Sequence, residues 1–119
     1  MASNNERLSF LGRLPYYTIG STGGVLTLNF SISDNFVHTT TQDTTVTPNV
    51  VPTTCAAQTG VVEFIQGSTP RVISFTSFFK FVGGVNPNNT QNAGAKDILV
   101  YTINSDGSFA ICSWMPDVK

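Results

Sequence analysis

The stretch VLTLNFSIS at residues 25–33 decides the fold class of this chain. Large apolar side chains recur there at every second position, with smaller or polar ones between them: Leu26, Leu28, Phe30 and Ile32. Because successive side chains of a β-strand point to opposite faces, this period of two residues predicts a strand with one buried face.

Strands of the same kind are predicted along the rest of the chain, separated by segments rich in Gly, Pro, Asn and Asp. They cover residues 35–41, 44–47, 61–66, 71–75, 78–82, 97–103 and 108–114. Pro48 and Pro52 limit the Thr-rich segment 39–54 to an edge strand followed by an extended loop. Asp106-Gly107 favours a hairpin between the last two strands. Seven to eight short strands predict an all-β domain with an antiparallel β-sandwich or jelly-roll-like fold.

The composition agrees with one small β domain whose surface carries little charge. The chain of 119 residues has 16 Thr, 11 Ser and 10 Asn, but only 6 Lys and Arg and 7 Asp and Glu. Its formal net charge of −1 gives no basic face for nucleic acid, so DNA and RNA are not expected partners. Phe75, Phe78, Phe79 and Phe81 crowd into seven residues and are predicted to form the heart of the core.

The first twenty residues differ from the rest and are predicted to form an irregular arm, with the β-sandwich domain at residues 21–119. The arm is too apolar for a free tail, so it is expected either to dock on a neighbouring subunit or to cover an edge of its own domain. Its candidate docking residues are Arg7, Leu8, Phe10, Leu11, Arg13, Leu14, Tyr16 and Tyr17. Neither a signal peptide nor a membrane span is expected, and cytosolic synthesis is predicted.

Few residues suggest chemistry, and no catalytic, cofactor or metal site is predicted. His38 is the single histidine and lies in a predicted strand without a motif around it, which favours a structural role on a sheet face. Cys55 and Cys112 lie outside any CxxC pattern and are expected to be reduced, although facing strands would allow a bridge. Trp114 is expected in the core, with sugar stacking or an interface contact as the alternatives.

The second half of the chain resembles a small β-domain that recurs in virion proteins of tailed bacteriophages. The resemblance rests on an ordered series of turns and strand ends that covers about residues 24–114. Its elements are Phe64-Ile65-Gln66, Gly67, the strand from Arg71 to Phe75, Phe81 to Gly84, the loop 86–95, the strand 97–103, Asp106-Gly107 and the strand 109–114. Upstream, residues 26–30 and 36–41 resemble the first strands of the same family.

This resemblance implies a structural protein without an enzymatic site, commonly a homotrimer in the virion, assembled in the host cytoplasm. Two functions are then expected to compete. The first is a head decoration (cement) protein that binds the major capsid protein and copies of itself and stabilises the shell. The alternative is a tail-fibre or tail-tip module that contacts a host glycan or protein through the loops 39–54 and 85–95. No membrane partner is expected under either.

Overall fold

The computed structural model describes residues 16–53 and 57–119, in which nine strands form two sheets. The all-β, sandwich-like fold class predicted from the sequence is confirmed, with one strand more than expected. The strands are β1 (Tyr17–Thr18), β2 (Val25–Asn29), β3 (Phe36–Thr39), β4 (Thr44–Asn49), β5 (Thr59–Ile65), β6 (Ile73–Phe75), β7 (Phe79–Phe81), β8 (Lys96–Ile103) and β9 (Ala110–Met115). A short 3₁₀ turn follows β7 at Val82–Gly84.

The chain crosses between the two sheets at every step from β1 to β7. Sheet A has the order β1-β3-β5-β8-β9-β7, and sheet B has the order β2-β4-β6. Because the chain leaves a sheet and returns to it by way of the other sheet, it enters in the same direction each time and the neighbouring strands run parallel. Within the described ranges five of the seven strand pairings are parallel. The expectation of antiparallel pairing holds only for β5–β8 and β8–β9.

Strand β4 is the second correction, since it lies in the middle of sheet B and not at an edge. The amide of Thr45 donates to Gly24 on the β2 side, and the amide of Thr44 donates to Val72 on the β6 side. By this alternation the nitrogen of Pro48 faces the β6 side, where β6 has already ended. The carbonyl of Thr76, the next acceptor there, binds the amide of Phe79 instead. A proline therefore costs this central strand no ladder hydrogen bond.

The core lies between the sheets and is rich in aromatic side chains. Phe75, Phe79 and Phe81 are buried and Phe78 packs against them, which confirms the predicted aromatic centre. Trp114 is partly buried, and its ring lies 5.7 Å from that of Phe64 between centroids. The expectation of a core tryptophan at the end of the last strand is therefore confirmed.

Two buried amide side chains tie the loops to this core. Gln66 accepts from the amide of Arg71 at 2.8 Å and donates to the carbonyl of the same residue at 2.9 Å, which closes the turn after β5. Asn89 accepts from the amide of Ile73 at 2.9 Å and donates to the carbonyl of Arg71 at 2.8 Å. The long loop before β8 is thus fastened to the start of β6.

Candidate interaction surface

The outward faces of the two sheets differ in chemistry. Sheet B presents mostly hydroxyl and amide side chains to the outside: Thr27, Asn29, Thr45, Thr47, Asn49 and Ser74. Sheet A presents aliphatic and polar side chains in about equal numbers, and its aliphatic ones are Val37, Val61, Ile65, Ile98, Val100, Ile111 and Met115. Since exposed apolar side chains favour contact with a partner, sheet A is the candidate interaction surface.

The aliphatic side chains of sheet A are most exposed at its β7–β9 end. Ile111 and Met115 of β9 are 52% and 44% exposed, and Val82 and Val85 after β7 are 82% and 73% exposed. Phe81 pairs with Cys112, so Val82 continues the outward alternation of β7 beside Ser113 of β9. These four aliphatic residues form what is called here the β7–β9 surface.

Local backbone geometry explains why two valines stand so far out. Gly83 and Gly84 have φ angles of +80° and +74°, a conformation that residues with a Cβ rarely adopt. The two glycines make a tight turn between Val82 and Val85. A depression of about 230 Å³ lies beside the turn, lined by Phe81, Val82, Val85, Pro87, Cys112, Ser113 and Trp114.

A second depression opens at the neighbouring edge, where sheet B ends in β6 and sheet A ends in β7. Its volume is about 430 Å³, and its lining joins aromatic rings to a polar rim: Phe75, Phe79 and Phe81 with Ser77, Lys80, Gly84 and Asn86. That size lies within the range of sites for small molecules. The aromatic rings are nearly buried, so the polar rim supplies the side chains within reach of a ligand.

The docking residues predicted from the sequence fall mostly outside the described residues. Arg7, Leu8, Phe10, Leu11, Arg13 and Leu14 precede residue 16, so their role stays a prediction. Tyr17 lies in β1 and sets its ring edge-on against Phe36, with centroids 6.3 Å apart. Tyr16 precedes β1, and its hydroxyl lies near enough to the carboxylate of Glu63 to be affected by it.

This contact perturbs Tyr16. Partial burial, the hydrogen bond to Glu63 and the negative charge of that carboxylate raise the pKa of the Tyr16 hydroxyl. Glu63 also pairs with Lys96 at 3.1 Å. The three side chains lie together on the outer face of sheet A.

The histidine and cysteine side chains that the structure describes are buried in the fold. His38 is buried, and its Nδ1 lies 2.8 Å from the carbonyl oxygen of Ile19. Burial raises the pKa of the Cys112 thiol to about 12, so this free cysteine is a poor nucleophile near neutral pH. Cys55 lies outside the described residues.

Two carboxylates accept hydrogen bonds from backbone amides. Asp97 accepts from the amides of Thr90 and Asp117, each at 2.6 Å, and so fixes the loop before β8 and the C-terminal segment. Asp106 accepts from the amide of Ser108 and the side chain of Asn104. Hydrogen bonding by the side chain of Ser108, by its amide and by Asn104 holds the pKa of Asp106 below the ordinary value. Among residues 16–53 and 57–119, no three His, Cys, Asp or Glu side chains lie close enough together to hold a metal ion.

No family model, curated protein or solved structure matches this chain. In the ranges that the structure describes, no helix is long and apolar enough to span a bilayer. From the sequence, Val82 is expected at a strand end and Val85 in a loop, so the β7–β9 surface is not predicted. The Val-Gly-Gly-Val sequence was the available signal, since a glycine pair between two valines favours a turn that leaves both side chains outside.

Proposed function

We propose that this chain is a structural protein that attaches to a larger protein assembly through the β7–β9 surface, and that it is not an enzyme. The observation that carries the proposal is the exposure of Val82, Val85, Ile111 and Met115 at the β7–β9 end of sheet A, where Val82 and Val85 line one depression. Apolar residues rimmed by polar ones typically mark a contact with another protein.

The energy available from this surface suits repeated attachment. Burying an exposed aliphatic side chain contributes roughly 1.5–3 kcal/mol, so four partly exposed ones contribute several kcal/mol before the costs of association. One copy therefore binds weakly. Several copies joined together bind much more firmly, because each further contact forms at high effective concentration.

On the resemblance described above alone, we propose that the larger assembly is a bacteriophage head. The chain is then a decoration (cement) protein, commonly a homotrimer, whose partners are the major capsid protein and its own copies. The residues that carry the resemblance have structural tasks in this molecule, since Gln66 closes a turn and Asp106 holds the last hairpin. Such structural roles suit a protein that functions by binding to other proteins.

Counting copies in purified particles tests the assignment. Quantitative mass spectrometry of virions purified from the source of this protein is expected to find hundreds of copies per particle, as a shell component requires. A handful of copies would contradict the decoration role and favour the tail. Absence of the protein from the particles would overturn the virion assignment itself.

Paired variants test the surface. Val82→Ser with Val85→Ser is expected to abolish co-sedimentation with shells that lack the protein, because it removes the two most exposed aliphatic side chains. Val25→Ser with Ile32→Ser is the matched control, since these residues are also exposed but lie on β2 and the turn that follows it. Unchanged binding of the first variant would contradict the proposed surface.

One observation favours the tail-tip alternative. The depression of about 430 Å³ places Ser77, Lys80 and Asn86 at its rim, and hydroxyl, ammonium and amide groups suit the hydroxyls of a glycan. The loop 85–95 begins at this rim. Two results together would favour this second function: the protein adsorbs to host cells and Asn86→Ala weakens that adsorption, and the virion carries few copies of the protein.

A further inference from the structure

Strand β7 forms one edge of sheet A and has a neighbouring strand on one side only. The amide of Ala110 on β9 donates to the carbonyl of Phe78 at 2.9 Å, so Phe78 and Lys80 direct their backbone groups toward β9. By the alternation of a strand, Phe79 and Phe81 direct theirs away from the sheet. In the described part of the chain, neither the amide nor the carbonyl of Phe81 has a hydrogen-bond partner.

The core is least covered beside this edge. The depression of about 430 Å³ lies there, and its lining includes Phe81 of β7 and Phe75 of β6. These two rings are 9% and 7% exposed, more than any other buried apolar side chain among the described residues. Phe81 has φ −97° and ψ 149°, which is the extended backbone of a strand. A further strand beside β7 would therefore pair with the backbone of Phe81 and place its inward side chains over the two rings.

The charge at the middle of β7 selects the kind of strand that fits. Lys80 is the exposed central residue of β7, and none of the ion pairs of the described residues involves it. If β7 paired with β7 of a second copy about a central twofold axis, the two Lys80 side chains would lie opposite each other, with Cβ atoms ~5 Å apart. Like charges in that position destabilise the pair, whereas a carboxylate on a different chain stabilises it. The edge therefore favours a partner other than a second copy.

We propose that the edge of β7 binds an extended segment of another protein, which adds a seventh strand to the six of sheet A. The segment carries Asp or Glu between two apolar residues. Its carboxylate lies opposite Lys80, and its apolar side chains cover Phe75 and Phe81. Backbone hydrogen bonds supply affinity and the alternating side chains supply selectivity. The inference does not depend on the proposed function, because the β7–β9 surface consists of outward side chains and this edge consists of backbone groups.

Nuclear magnetic resonance of the ¹⁵N-labelled full chain tests this edge. The probe is a synthetic peptide with Val-Glu-Val flanked by serine and threonine, and a second peptide carries Val-Lys-Val instead. The Val-Glu-Val peptide is expected to slow the solvent exchange of the Phe81 amide, because that N–H gains an acceptor. It is expected to bind with a Kd about two- to fivefold lower than the Val-Lys-Val peptide, the ratio that one cross-strand charge pair supplies. The amide of Thr27 on β2, an edge strand of sheet B, is the internal control and is expected to keep its exchange rate.

Charge reversal tests the selectivity. Lys80→Glu is expected to prefer the Val-Lys-Val peptide, which is the opposite order from the original chain. Lys119→Glu, at an exposed lysine near the C-terminus, is the matched control and is expected to keep the original order. Equal affinity of the original chain for the two peptides would overturn the proposal.

The exchange rates also separate the other occupants of this edge. Equal slowing at Phe81 and Thr27, or no slowing at Phe81 with millimolar peptide, would overturn the proposal. Slowing at Phe81 that grows with protein concentration in the absence of peptide would overturn it in favour of a second copy. A host glycan that shifts the Asn86 signals, while neither peptide slows the exchange at Phe81, would overturn it in favour of the tail-tip alternative.

Discussion

The hydroxyl of Tyr101 donates a hydrogen bond to the backbone carbonyl oxygen of Asp34, with the two oxygens 2.6 Å apart. The ring lies in the core beside Phe30, and the acceptor lies in the turn that leads into β3. This contact joins β8 to a segment 67 residues earlier in the chain. The side chain therefore fixes the entry into sheet A from within the core.

Replacing this tyrosine tests the contact. Tyr101→Phe is expected to lower the free energy of unfolding by about 1–2 kcal/mol, because a buried hydrogen bond is lost while the ring is kept. Urea denaturation measures the change. Tyr17→Phe, at an exposed tyrosine, is the control and is expected to change stability by less than about 0.5 kcal/mol. Equal effects of the two would contradict the role of the Tyr101 hydroxyl.

Two glycines with the same backbone conformation are expected to differ in tolerance. Gly94 and Gly107 have φ angles of +78° and +76°. A Cβ on Gly94 meets no atom within 4 Å, whereas one on Gly107 meets the carbonyl group of Pro52. Gly94→Ala is expected to cost about 1–2 kcal/mol from backbone strain. Gly107→Ala is expected to lower the free energy of unfolding by a further ~1–3 kcal/mol relative to Gly94→Ala, because of the clash.

Thermal unfolding compares these two alanine variants directly. The melting temperature of the Gly107 variant is expected to lie well below that of the Gly94 variant. Equal melting temperatures would show that the hairpin loop does not press against Pro52.

The amide of Asn89 is expected to be required for the long loop before β8. Asn89→Ala removes the hydrogen bonds to Ile73, Arg71 and Thr90 and is expected to cost about 2–3 kcal/mol. The adjacent Asn88 is exposed, and Asn88→Ala is expected to change stability by less than about 0.5 kcal/mol. Denaturant midpoints measure both, and a neutral Asn89 variant would contradict the fastening role.

The buried thiol of Cys112 predicts a loss of stability in alkali. Its pKa is about 12 in the folded chain against the ordinary value of 9.0. Below pH 9 both states keep the proton, so the contribution to stability is constant. As the pH rises from 9 toward about 12, the unfolded chain releases the proton and the folded chain keeps it, which favours unfolding.

Cys112→Ala provides the comparison. The stability difference between the original chain and this variant is expected to shrink between pH 8 and pH 10.5, because the variant lacks the titrating group. Urea denaturation at both pH values measures it, and a constant difference would contradict the prediction.

The sequence predicted where the strands lie better than it predicted which strands pair with one another. The alternation in residues 25–33 reports which face of a strand is buried, and β2 buries Leu26 and Leu28 as expected. The strand ends at Asn29, however, so the expected burial of Ile32 is wrong and that side chain is exposed. Asp106-Gly107 marks a local hairpin, and β8 and β9 pair across it. Both signals act over a few residues, and for that reason they can be read from the sequence.

Strand direction and neighbours depend on contacts between distant residues, which a period of two cannot report. Thr45 is close to Val25 and Ser74 in space because β4 stands between β2 and β6, and no local pattern contains that order. The Val-Gly-Gly-Val turn is a local signal, but its position at the same end of sheet A as Ile111 depends on the pairing of β7 with β9.

The alternation of strands between the sheets also bears on how fast the chain folds. Up to β6, each strand pairing joins residues roughly 20–30 positions apart, so each must close a loop of that length before any contact offsets the lost entropy. The β8–β9 hairpin is local and has the lowest closure cost. Chains rich in such distant pairings fold in milliseconds to seconds, and here the C-terminal hairpin is the natural place for folding to begin.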